Sequence, residues 1–161
     1  MPVERSLPAD HRADLRTAIE NLYYVYAERI DAGDFAAVAE LFGRARLIGP
    51  DGAPIATGRE EVQRLYERST RCYEDGTPKT QHVTTNVILE LDDDGRGVSS
   101  RARFTVFQAL PDFPLQPIIT GHYRDRFAWD EVSGWHFTER TIRPVLLGDL
   151  SRHLLHAIDV S

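Results

Sequence analysis

The chain of 161 residues is long enough for one domain with a sizeable core, and its 42% apolar and 27% charged content is that of a globular protein. A formal net charge of −6 offers a nucleic-acid backbone or an anionic membrane surface no attraction, so neither is an expected partner. Cys72 is the single cysteine, which excludes an internal disulfide and suits a reducing, cytoplasmic compartment; no apolar leader is read in Met1 to Asp10, and no run approaches the roughly 20 apolar residues of a membrane span.

Ser6-Leu7-Pro8 reads as a helix entry, after which Leu15, Ile19, Leu22, Tyr26 and Ile30 recur at spacings of three and four. That predicts one long amphipathic helix, stopped at Gly33, with Asp34 as the N-cap of a short second helix through Phe42. Arg46 to Gly49 reads as a short strand ended by Pro50-Asp51-Gly52. A capping box, Thr57-Gly58-Arg59-Glu60, opens a third helix over about 58–74, whose apolar stripe makes Cys72 a core thiol.

From Lys79 the period becomes two, predicting strands over 80–91, 97–110, 117–129 and 134–147, with Asp94-Gly95 and Ser133-Gly134 as hairpin turns. Pro111 to Pro117 reads as a loop or lid, and Leu150 to His156 as a terminal helix closing the mouth of a pocket or docking on a neighbour. Three helices before an antiparallel meander is an α+β order, in which helices cover one face of a curved, mainly antiparallel sheet and leave a pocket in its concavity. The whole chain, 1–161, is read as a single domain.

On the first long strand His82, Thr84 and Asn86 share one face. A lone histidine there is compatible with a base, with a ring satisfied by a backbone carbonyl and with a surface residue. Asp31, at the end of the first helix, is compatible with a local cap or turn. Its phase beside the buried stripe equally favours an acid that needs an imidazole partner. Ile119, Gly121, Tyr123 and Asp125 share a strand face of pocket-wall composition; Arg101 and Arg103 share another and are read as partners for Asp125, for an anionic ligand or for solvent. No phosphate loop, CxxC, HExxH or GxSxG motif is present, and the six histidines lack metal-ligand spacing, so neither metal nor cofactor is expected.

Taken together, Asn21-Leu22-Tyr23, Asp31-Ala32-Gly33-Asp34-Phe35, Leu41-Phe42, Gly58-Arg59-Glu60-Glu61-Val62, Thr80-Gln81-His82 and Gly134-Trp135-His136-Phe137 resemble the SnoaL-like branch of the nuclear transport factor two-like superfamily. The resemblance implies a cone-shaped α+β barrel. It is strongest to scytalone dehydratase and the hexachlorocyclohexane dehydrochlorinase, and it makes Asp31 and His82 a catalytic dyad. It sets Arg140 where an arginine assists the leaving group, and Gly121, Tyr123 and Asp125 on pocket-lining positions. Tyr26 replaces a catalytic lysine, while Gly121 and Tyr123 replace substrate-binding serine and asparagine, so the dyad carries over and the substrate does not. The implied function is a cofactor-independent lyase or isomerase acting on a small molecule. A non-catalytic binder of an apolar or aromatic ligand, and a scaffold like the β subunits of ring-hydroxylating dioxygenases, stand as alternatives. A homo-oligomer, dimer or trimer, is implied as well.

Overall fold

The computed structural model describes residues 14–158; the expected helix entry at Ser6-Leu7-Pro8 and His11 lie outside them. Helix α1 (Leu15–Asp31) buries Ile19, Tyr23, Tyr26 and Ile30 along one stripe. It stops as the sequence requires, with Gly33 left-handed at φ 72. Asp34 then accepts a hydrogen bond of 2.9 Å from the Ala37 N–H to start α2 (Phe35–Leu41).

Strand β1 (Arg46–Ile48) is followed by a strand the sequence did not announce, β2 (Pro54–Thr57), and then by α3 (Gly58–Ser69). The start of α3 differs from a capping box, since the Thr57 side chain makes no cap bond and it is Glu61, not Glu60, that accepts from the Thr57 N–H at 2.7 Å. The helix also ends five residues early. Thr70 turns extended and bridges Leu154, which leaves Cys72 exposed and not in the core.

Strands β3 (Thr80–Leu91), β4 (Gly97–Leu110), β5 (Phe113–Asp130) and β6 (Gly134–Leu147) form the expected meander. The six-stranded sheet has the order β2-β1-β6-β5-β4-β3, with β1 parallel to β6 and every other pair antiparallel. Its edges, β2 and β3, do not pair, so the sheet is open and mixed, with the three helices packed on it in an α+β fold. No helix among the described residues is long and apolar enough to cross a membrane.

Three expectations fail for local physical reasons. The Pro111–Pro117 lid is only a turn at Pro111 and Asp112. Pro114 and Pro117 already lie in β5, in the part that pairs with β4 beyond the end of β6, where a strand flank without a ladder tolerates a missing N–H. Leu150 to His156 is not a helix but a strap of turns tied to the end of α3, with Leu155 N–H donating to the Ser69 carbonyl and Arg71 N–H to that of His153. In β3 a bulge between Thr85 and Ile88, with Asn86 at φ 56, reverses the strand's parity. Val87 and Leu89 therefore turn toward the core, and Asn86 faces the opposite side from the cavity that His82 lines.

Candidate active site

Asp31 closes α1 and His82 opens β3, so the corner between helix and sheet brings residues fifty positions apart into contact. Asp31 Oδ1 lies 2.6 Å from His82 Nδ1, and Oδ2 accepts from the His82 backbone N–H at 2.8 Å. A third donor, the Thr80 hydroxyl, reaches Oδ1 at 2.8 Å. A carboxylate only accepts, so Asp31 sets the ring proton on Nδ1 and leaves Nε2 as the acceptor. The imidazole is 8% exposed.

His82 lines a cavity of about 270 Å³ between α1, α3, the sheet and the strap. Its wall is Ile30, Leu47, Leu65, Phe104, Val106, Ile119 and other apolar side chains, with Tyr26, Tyr66, Tyr123, Ser69, Thr70 and His153 as the polar ones. Among the described residues no Asp, Glu, Lys or Arg lines it. The Tyr26 and Tyr66 hydroxyls are hydrogen-bonded at 3.0 Å, and the Tyr26 ring stands edge-on to His82 with centroids 6.2 Å apart. Burial, and then the neighbouring Tyr26, push the Tyr66 and Tyr123 hydroxyls well above their ordinary value of 10, so both are neutral donors and not bases.

The remaining sequence candidates sit elsewhere. Arg140 and Asp125 are 0% and 2% exposed and form a two-bond pair at 2.8 and 3.0 Å, behind the Tyr26 and Tyr123 rings and not on the cavity surface. The Arg140 guanidinium carbon lies 4.1 Å from the Tyr123 ring centroid and 4.5 Å from that of Tyr26. Asp125 is therefore taken, and Arg101 pairs with Glu90 instead, at 3.1 Å. Gly121 serves packing, because a Cβ there would collide with the Phe104 ring and the Arg143 carbonyl. Asn86, Arg101 and Arg103 line a separate depression on the other face of the sheet with His122 and Arg124. His122 is held below its ordinary value of 6.5 by desolvation first, and then by Arg103, Arg124 and Arg143.

The SnoaL-like domain model matches residues 11–141. The chain belongs to the SnoaL-like domain family. No curated protein matches it in sequence. Among solved structures it resembles a variant of Rv3472 from Mycobacterium tuberculosis, a protein of unknown function, at 23% identity and TM-score 0.68, covering 87% of this chain and 77% of that one. It also resembles a scytalone dehydratase candidate from Novosphingobium aromaticivorans, at 19% identity and TM-score 0.68, covering 88% and 91%. LinA is similar at 19% identity and TM-score 0.65, covering 84% and 89%. These likenesses establish the shared α+β fold of SnoaL-like proteins.

Sequence reasoning missed His153. It entered only as part of an expected helix, and the one hint was a histidine flanked by Leu150, Leu154 and Leu155. In the structure it is 7% exposed, lines the cavity, and its ring centroid lies 6.4 Å from that of His82. Burial first, and His82 second, push it down from 6.5 to about 4. Between those two values the unfolded chain binds a proton at this position and the folded chain does not. Stability is thus full above pH 6.5 and declines as the pH falls toward 4, by about 3 kcal/mol from this one group. Urea unfolding at pH 7 and pH 4.5 should show His153→Phe losing less stability on acidification than the wild type. An equal loss in both would show that His153 carries no such linkage.

Proposed function

We propose that this protein is a cofactor-independent enzyme that removes a proton from carbon in a small, uncharged, largely apolar molecule, as a lyase or isomerase. The observation that carries this reading is the Nε2 of His82, set as an acceptor by the Asp31 contact of 2.6 Å and facing a cavity without charged side chains. His82 Nε2 takes the proton, and the C–H electron pair passes into an adjacent carbonyl to give an enolate. The proton then returns to carbon in an isomerisation. In an elimination the electron pair expels a group from the β-carbon, which departs with the proton that His82 holds. Asp31 stabilises the charged imidazolium in between, and the Tyr26 and Tyr123 hydroxyls are placed to receive the developing negative charge.

Similarity to a dehydratase candidate supports the reaction class, and the absence of charge on the wall argues against an anionic ligand. A purely structural scaffold has no use for a cavity of about 270 Å³ with an oriented imidazole in it.

A generic carbon acid tests the reading without knowledge of the natural substrate. In deuterium oxide the protein should speed exchange of the C1 protons of 2-tetralone, followed by proton NMR, and His82→Ala should lower that rate roughly 10²- to 10⁴-fold. Melting temperatures of the two proteins check the fold. Exchange at the buffer rate in the wild type, or equal exchange in the variant, would leave a ligand binder and not a base catalyst.

A further inference from the structure

The strap after β6 has no regular structure, yet its course is tightly fixed around His153. The His153 N–H donates to the Leu150 carbonyl at 3.0 Å, and its own carbonyl accepts from the Arg71 N–H at 2.8 Å. On one side the Arg152 carbonyl accepts from Gln108 Nε2 at 3.0 Å and from the Tyr73 hydroxyl, and the Arg152 guanidinium grips Asp112 at 2.9 and 3.1 Å. On the other side Leu155 N–H donates to Ser69 at 3.0 Å. The strap thus holds one imidazole in the cavity wall, among leucines and isoleucines.

That imidazole does little for the fold. Its Nδ1 is buried with no hydrogen-bond partner, a burden that an apolar side chain of similar size would avoid. With its titration pushed down to about 4 it is neutral, so one ring nitrogen carries a proton and the other a lone pair. A stranded lone pair is tolerated better than a stranded N–H, which puts the proton on Nε2 and makes that nitrogen the donor a ligand can meet. His82 and His153 line the same cavity and are complementary, because one presents an acceptor and the other a donor. Their centroids are 6.4 Å apart. Both rings line the same cavity, so the α-carbon and oxygen of one ketone, roughly 2.4 Å apart, can meet the two from the cavity side with a normal contact at each.

We propose that His153 is a second ligand-contacting residue, donating its Nε2–H to the carbonyl oxygen of a neutral ketone whose α-carbon faces His82. The proposal rests on the cavity reading above for the role of His82, but the contact itself exists without turnover. The cavity thereby selects uncharged carbonyl compounds over hydrocarbons of the same shape.

The test is binding of 2-tetralone and of tetralin, which lacks the oxygen, to the full chain labelled with ¹⁵N-histidine, in the wild type and in the inactive His82→Ala variant. Loss of one signal in His153→Phe assigns the ring. The His153 Nε2 should carry a proton in the free protein and shift on saturation with 2-tetralone in both proteins, and not with tetralin. His153→Phe should weaken 2-tetralone about 3- to 10-fold and leave tetralin unchanged, the size of one hydrogen bond. An unmoved His153 signal, equal weakening of both ligands, or no binding of 2-tetralone up to its solubility would overturn the proposal. A shifted ring in a protein that does not speed exchange would uphold His153 as a ligand contact and sink the catalytic reading alone.

Discussion

Replacing Asp31 with asparagine should lower the rate of 2-tetralone exchange about 10⁴-fold while changing stability by only about 1 kcal/mol. The reason is the direction of one proton. Asp31 Oδ2 accepts from the His82 backbone N–H and Oδ1 from the His82 ring and the Thr80 hydroxyl, so all three contacts need an acceptor. Asparagine offers one oxygen and one amide nitrogen. With the oxygen kept on the backbone N–H, the amide donates to Nδ1, the ring proton moves to Nε2, and the nitrogen facing the cavity can no longer take a proton. Turned the other way, two N–H groups confront each other across 2.8 Å at the His82 backbone. The same wrong-tautomer effect costs about 10⁴ in a serine protease triad, where the aspartate likewise orients and does not react. Alanine at 31 separates the two roles, because it strands all three donors and should cost about 2 kcal/mol in stability as well. Exchange rates and urea midpoints for both variants measure the two effects. An asparagine variant as active as the wild type would show that the ring is not oriented through Asp31.

The long elements of this fold were legible because their periodicities persist over most of their length. The stripe of α1, the Asp34 cap and the hairpin turns at Gly95 and Gly134, both left-handed, follow from local chemistry alone. What was not legible depends on partners distant in sequence. Strand β2 is four residues starting at a proline, and it exists because β1 pairs with it. Helix α3 stops where Thr70 bridges Leu154, a contact across the length of the chain. Two of the register shifts in the sheet have no sequence signature, and each moves a residue of interest. The one after Thr85 takes Asn86 off the cavity side. The one between Arg126 and Phe127 shifts the β5–β6 register by a residue, so that Asp125 lies opposite Arg140, where a count outward from the Gly134 turn would have set it opposite Glu139. His82 and Asp31 came together through whole-chain resemblance, since strand parity alone left both open.

That shifted register creates the pair with the largest expected effect on stability. Arg140 is wholly buried, donates from Nε and Nη2 to the two oxygens of Asp125, and has its guanidinium carbon within 5.5 Å of the Tyr23, Tyr26, Phe42, Tyr123 and Phe137 ring centroids. Its Nη1 has no hydrogen-bond partner, so ring faces are what that side of the cation meets. Burial opposes the charge, yet Asp125 holds Arg140 above its ordinary range. Arg140→Met leaves the Asp125 carboxylate buried without a counter-charge and should cost about 3–5 kcal/mol; Asp125→Leu strands the guanidinium at a similar cost. The double variant removes both charges and should recover most of the loss, because well-packed apolar residues replace a buried ion pair at little net expense. Urea unfolding of the two singles and the double closes the cycle. Simple additivity of the singles would mean that the pair is not coupled, against the geometry. The double variant also separates structure from chemistry at Arg140. If the guanidinium only supports the Tyr26 and Tyr123 rings from behind, 2-tetralone exchange in the refolded double variant should fall far less than in His82→Ala. A loss as large as that of His82→Ala would mean that the buried charge is felt at the reacting carbon, through the two phenols that stand between it and the cavity.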